Sequence, residues 1–235
     1  MRHRHGQEAI MRVSDARLSR QALLELLAQP QPLTVLERCC MDGEDLSGLD
    51  MNGVRFLGCS LLQAKLTRAN LSETVWEKSR AGRADFRLAD LSDARFQGCD
   101  LHVTVWARAR LAGACFQDSK LSGASLVDVQ ALGIELHQCL LVGSTLRGLV
   151  LRKQRLVGLD CTDADLGGCD FSDAIFEGGS LRGASLKGAV FQGADLRSVD
   201  VGEITLLELA TSFKGAYIST EQAAQLVAAL GVHVL

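Results

Sequence analysis

With 235 residues, 47% of them hydrophobic, and a formal charge of −3, the chain can bury a substantial core and is not charged enough to resist folding. Near-neutrality excludes global attraction to nucleic acid or anionic membranes, so no direct nucleic-acid binding is expected. No run approaches the roughly 18 apolar residues of a membrane span. The start "MRHRHGQEAIMRVSD" lacks the apolar stretch of a secretory signal, which predicts a cytoplasmic protein; export as an effector by machinery that reads other signals fits the same start.

Taken in chain order, residues 1–40 form a lead-in. Its basic end, with His3 and His5, reads as a segment without order, with weak metal binding by "HRH" as the other reading. "SRQALLELLAQPQP" then reads as a short helix: Ser19 is a candidate N-cap, Leu23, Leu24, Leu26 and Leu27 supply an apolar face, and Pro30 and Pro32 end it. Such a helix would plug one end of whatever follows.

Residues 41–208 repeat every five residues. Stepping by five from Leu46 to Leu206 gives 33 positions, all apolar: 19 Leu, seven Phe, and Met51, Trp76, Ala81, Trp106, Ala131, Cys161 and Val201. Two residues before each stands a second selected position, Ala, Cys, Ser, Thr or Gly in 23 of 33 cases. Gly recurs two residues after. A strand alternates every two residues and a helix returns every 3.6, so neither holds a five-residue register on one face. The chain must turn in each unit. Short extended sides joined by tight turns, with both selected positions inward, close into a four-sided coil of about 20 residues, stacked at about 4.8 Å like parallel strands. That predicts roughly eight coils in a rod near 40 Å long. Phe56, Trp76, Phe96 and Phe116, spaced by 20, should stack along its axis, and Ala81 beside Trp76 suggests volume compensation in a narrow lumen.

Ala69-Asn70-Leu71, Ala164-Asp165-Leu166 and Ala194-Asp195-Leu196 resemble the pentapeptide repeat family: a small residue, Asp or Asn, Leu or Phe, then two variable residues. The resemblance covers about 165 residues. It implies a right-handed quadrilateral parallel β-helix; with the repeat count and the signals at the two ends, the expected fold is an all-β solenoid of about eight uninterrupted coils with a short helical N-terminal cap and a C-terminal helix.

Residues 209–235 contain that helix: in "ISTEQAAQLVAALGVHVL", Ser219 and Gln222 form a capping-box pattern and Gly231 follows the last turn. Ala224, Val227 and Leu230 could cap the last coil or meet a second chain. The resemblance favours the second, a bacterial homodimer joined through the C-terminal helix.

The Cys and His residues fall into no catalytic or metal-binding pattern. Cys59, Cys99, Cys139 and Cys169 fall on the small inward position and Cys161 on the large one, where thiols pack as small hydrophobes. Cys39-Cys40 has no second ligand pair nearby for zinc. His102 and His137 are outward without a nucleophile beside them, His233 is near the end, and no phosphate-binding glycine loop occurs. A lumen filled by Leu and Phe leaves no substrate pocket. The expectation is a non-enzymatic protein without metal or cofactor, acting through outward side chains.

Three surface features are candidates. Asp160, Asp163, Asp165, Asp170, Asp173 and Glu177 form an acidic zone, a candidate partner-binding face, whereas Lys65, Arg68, Lys78, Arg80, Arg83 and Arg87 make earlier coils basic. Val127, Leu132, Leu140, Val142, Val150 and Val157 occupy outward positions as a candidate apolar contact patch; nearby, Val129, Ile134, Leu149, Gln154 and Leu159 replace the small inward residue, so a local widening of the coil that takes in some of these side chains is the other reading. The best-known relatives bind bacterial DNA gyrase as rods resembling duplex DNA, giving protection from quinolones or toxins. DNA mimicry needs a broadly negative surface, and residues 42–208 carry 23 acidic and 18 basic residues. The first reading is therefore an interaction or scaffold protein; the alternative is a DNA-mimicking gyrase binder.

Overall fold

A computed structural model describes residues 11–229 and 231. Nine short parallel strands form one sheet in sequence order: β1 (Met11–Ser14), β2 (Leu33–Glu37), β3 (Arg55–Leu57), β4 (Val75–Glu77), β5 (Arg95–Gln97), β6 (Cys115–Gln117), β7 (Glu135–His137), β8 (Arg155–Val157) and β9 (Ile175–Glu177). From β2 onward they recur every 20 residues. They form one side of a parallel β-solenoid of about eight turns. The other three sides are single-residue bridges at the same period, for example Lys65 to Asp85, Asn70 to Asp90 and Ser60 to Arg80. We number the sides by those columns: side one holds Lys65 and Asp85, side two Asn70 and Asp90, side three the strands, and side four Ser60 and Arg80.

Each side has one chemistry. Its two inward residues fill the lumen, the residue between them points out, and the chain then turns. Of the large inward positions from Leu46 to Val201, all but the half-buried Ala131 are buried. The second turn residue is left-handed whether or not it is Gly: φ is 58° at Arg68, 55° at Val103 and 56° at Asp163. Glycine relieves that geometry without being required for it.

Asp and Asn in the repeat have a local reason. The carboxylate midway along a side accepts the backbone N–H two residues on, as Asp90 does from Ser92 (3.0 Å) and Asp165 from Gly167 (3.0 Å), closing the corner as an Asx-turn.

Aromatic rings stack through the lumen in the expected column: Phe56 on Trp76 (4.0 Å between centroids), Trp76 on Phe96 (5.5 Å), Phe96 on Phe116 (4.7 Å). A second column, Phe86 on Trp106 at 4.1 Å, meets it edge-on. Each buried indole N–H has a dedicated acceptor: Trp76 Nε1 donates to Thr74 Oγ1 (2.9 Å) and Trp106 Nε1 to Thr104 Oγ1 (2.8 Å). Each threonine hydroxyl in turn donates to a carbonyl, of Leu71 or Leu101, at 2.6 Å.

Both ends are closed. β1 adds a strand that the sequence pattern did not announce, and α1 (Arg20–Leu27), capped by Ser19, then covers the first coil, with Leu23 wholly buried. Arg20 fixes it there by donating to the carbonyls of Asp45 (2.6 Å) and Ser47 (3.0 Å).

At the other end the five-residue register stops at Val201, not Leu206. Thr205 and Glu208 form a capping box that starts a further helix, α2 (Leu206–Thr211), leaving Leu206 60% exposed. The coil then resumes two residues late: Phe213 stacks on Phe191 at 4.9 Å, and Tyr217 bridges Asp195. A local helix signal outweighed the inward preference of one leucine. Finally α3 (Thr220–Ala229) carries the expected box, Ser219 N donating to Gln222 Oε1 (2.6 Å) and Gln222 N to Ser219 Oγ (3.1 Å). The buried Gln222 also donates from Nε2 to the carbonyls of Leu196 and Val199, 2.8 Å each, tying α3 to the last full coil.

Candidate interaction surface

The solenoid distributes the six acidic candidates around its circumference. Asp165 lies on side one, Asp170 on side two, Glu177 at the end of β9 on side three, and Asp160 on side four; Asp163 and Asp173 sit at left-handed corners. They make a belt around the rod. Most have occupations of their own. Asp165 pairs with Arg147 (2.5 Å), Asp170 with Arg152 (3.6 Å) and Glu177 with Arg155 (2.5 Å), while Asp160 accepts from the N–H and hydroxyl of Thr162 (3.0 and 2.6 Å). Burial opposes the charge of Asp165, yet the Arg147 guanidinium and the Gly167 amide hold its pKa below the usual carboxylate value; at Asp170, burial is likewise overcome by the hydroxyl and amide of Ser172. Asp163 and Asp173 have no ion pair within 4.0 Å among the described residues.

Of the basic residues in the earlier coils, Arg87 is paired with Asp85 (2.5 Å) and Lys65 with Asp45 (3.9 Å). Arg68, Lys78, Arg80 and Arg83 have no ion pair within 4.0 Å among the described residues, and the exposed pairs that do form are worth about 0–1 kcal/mol each.

The apolar candidates separate into two groups on opposite sides. Val127, Leu132 and Val150 belong to side two and its corners; Leu140, Val142 and Val157 belong to side four and its corners. Leu132 is 88% exposed, Val150 59% and Leu140 46%, whereas Val127, Val142 and Val157 are half-buried. The unusual inward residues Ile134, Leu149 and Leu159 are buried, and Val129 and Gln154 partly so. The coil therefore takes in these bulky inward residues but not Leu132 or Val150.

In α3, Ala224 is half-buried and Val227 exposed; Leu230 lies outside the described residues, as do His3, His5 and His233. Together with Val227, the exposed Leu206, Leu207 and Tyr217 give this end of the rod an apolar surface. Sequence reasoning missed α2's share of it because Leu206 fits the repeat register.

The buried thiols are all free, and burial pushes Cys59, Cys99 and Cys169 up to about 11 and Cys139 and Cys161 up to about 12. His102 Nδ1 lies 2.7 Å from Asp100 Oδ1, and His137 Nε2 lies 3.7 Å from Glu135. No metal-binding group of three His, Cys, Asp or Glu occurs among the described residues. Nor, among them, is any helix long and apolar enough to cross a membrane.

A four-sided parallel solenoid with a small residue, Asp or Asn, and Leu or Phe in each side defines a class of repeat protein. The model of that class, pentapeptide repeats, matches eight copies over residues 64–102, 89–126, 134–173 and 164–201, and the chain belongs to the pentapeptide repeat family. Among solved structures it is similar to a trypsin-treated form of QnrB1, a plasmid-mediated fluoroquinolone resistance protein, at 20% identity and a TM-score of 0.58, covering 96% of this chain and 98% of that one. It is also similar to HetL from the cyanobacterium Nostoc sp. strain PCC 7120, involved in heterocyst differentiation regulation, at 22% identity and a TM-score of 0.50, covering 80% and 86%. At these identities the likeness is one of fold. No curated protein sequence matches the chain.

Proposed function

We propose that this protein is a non-enzymatic interaction rod that engages another protein through the outward side chains of its coils and joins a second copy of itself at its C-terminal end. The observation that carries the reading is the filled lumen: packed aromatic and aliphatic side chains occupy it from coil to coil, so recognition falls to the outside. Opposite sides offer distinct apolar groups, around Val150 and around Val142, each flanked by paired charges. The exposed Leu207, Tyr217 and Val227 support self-association at the α2–α3 end. Val142→Lys and Val150→Lys, made separately, should weaken partner binding from one side only, while Leu207→Asp with Val227→Asp should convert a dimer to a monomer in sedimentation. Unchanged binding and unchanged mass would sink the two halves of the proposal respectively.

A second reading, binding of DNA gyrase or another type II topoisomerase, takes its support from the role of QnrB1 in fluoroquinolone resistance. Weighing against it, the acidic residues form a belt largely occupied by arginines and backbone amides. On this reading, reversing Asp165 and Asp170 to Lys abolishes any effect on supercoiling.

A further inference from the structure

Short of the last coil, where the register ends, coil-to-coil pairing among the described residues is interrupted at one seam. On side two, Arg110 bridges Gln130 and Val150 bridges Asp170, but Gln130 and Val150 are not bridged. On side three, β7 and β8 keep only the pair His137 with Val157, where β6–β7 and β8–β9 each pair three residues. One coil earlier, the amides of Leu111 and Gly113 reach the carbonyls of Gln130 and Leu132 at 2.7 and 2.9 Å; Ala131 and Gly133 make no such backbone bond among the described residues. Val150 lacks the backbone bond that Asp170 makes to Leu149 at 2.9 Å. Ile134's carbonyl, which would accept from Arg155's amide, accepts instead from the side-chain amide of Gln154 at 2.9 Å. Sides one and four stay paired across the same gap, Ser125 with Thr145 and Leu140 with Asp160.

The cause is steric and can be read in the small inward column. A single bulky residue there is accommodated where the adjoining coil offers a small one, as Leu49 meets Ala69 and Leu159 meets Gly179. At the seam two bulky residues follow one another twice, Val129 with Leu149 on side two and Ile134 with Gln154 on side three. That column elsewhere holds mostly Ala, Cys, Ser, Thr or Gly, so two bulky residues in succession demand volume there that a packed interior does not supply. These are the two sides on which the ladder opens.

We infer that the rod is jointed between the coils holding residues 126–135 and 146–155. Sides one and four form the hinge line, and the opposite corner, between sides two and three, opens and closes. Leu132, the most exposed large hydrophobic residue described, stands on that corner. Two stiff half-rods joined this way adjust their mutual angle to a partner spanning both, with the corner at Leu132 convex.

The test measures distance across the seam. Spin labels at positions 110 and 170 on side two span three coils and the seam; labels at positions 50 and 110 span three coils without it. The first pair should give the broader distance distribution, and the amides of Ala131, Gly133 and Val150 should exchange at least about tenfold faster than those of Leu111, Gly113 and Asp170. Repacking with Val129→Ala, Ala131→Leu and Gln154→Ala should narrow the distribution. Equal widths for the two label pairs in the unrepacked protein would overturn the joint, as would equal protection of the two amide sets.

Discussion

Replacing Thr74 by Val exchanges a hydroxyl for a methyl group of nearly the same shape, so lumen volume is unchanged. What changes is hydrogen bonding. Trp76, with no exposed surface, loses its acceptor at 2.9 Å; the Leu71 carbonyl loses the hydroxyl at 2.6 Å but keeps the Thr74 amide at 3.3 Å. The dominant effect is therefore one buried, unsatisfied indole N–H, costing about 1–3 kcal/mol. Denaturation in urea followed by tryptophan fluorescence should show the midpoint fall accordingly. Two controls isolate the cause: Thr74→Ser retains the hydroxyl and should cost less, and in a Trp76→Phe background, where no N–H remains, Thr74→Val should cost under about 0.5 kcal/mol, giving a coupling of about 0.5–3 kcal/mol. Thr74→Val as harmful in the Trp76→Phe background as in the parent chain would refute the hydrogen-bond account, leaving only methyl packing to explain the loss.

Gly179→Ala should be among the most damaging surface-neutral changes: φ is 87°, and an added Cβ would meet the backbone carbonyl of Leu159, which cannot swing aside. A loss of at least about 2 kcal/mol by denaturation is expected, against under about 1 for Gly178→Ala, whose Cβ meets nothing within 4 Å. Gln222→Met removes the ties to Ser219, Leu196 and Val199, so α3 amides should lose hydrogen-exchange protection while those of the coils keep theirs. Stability should fall in alkali. The thiols of Cys99, Cys139 and Cys161 have pKa values near 11 to 12 in the folded chain and near 9.0 when exposed, so their contribution is full below about pH 9 and is lost as pH rises towards 12. Replacing Cys99 and Cys139 with Ala should flatten that limb in a pH series of denaturant midpoints.

The repeat made the fold legible because an inward position leaves the same mark each time: an unbroken series of apolar residues at five-residue spacing has few physical explanations. The ends were less legible. Leu206 satisfies the register yet starts α2, since the Thr205–Glu208 box competes locally with the inward preference of one leucine. β1 was hidden because four residues alternating toward one side resemble any lead-in segment. The pairing of Thr with Trp was present in the sequence, since the only two threonines on the small position from Cys59 to Val199 each precede a tryptophan by two residues. Surface candidates were the least legible: five-residue spacing shows that Asp160 to Glu177 are close in sequence, but four corners per coil spread them over every side. The repeat's own Asp is also a corner-closing residue, so local acidity overstates the charge available to a partner.

DNA gyrase supercoiling, titrated with this protein in the presence and absence of a quinolone, tests most directly the claim that the acidic belt is largely occupied and the outer surface not DNA-like. Supercoiling and its inhibition by the drug should both stay unchanged throughout the titration. Protection at low micromolar protein, lost when Asp165 and Asp170 are reversed to Lys, would contradict it and establish the acidic belt as a topoisomerase-binding surface.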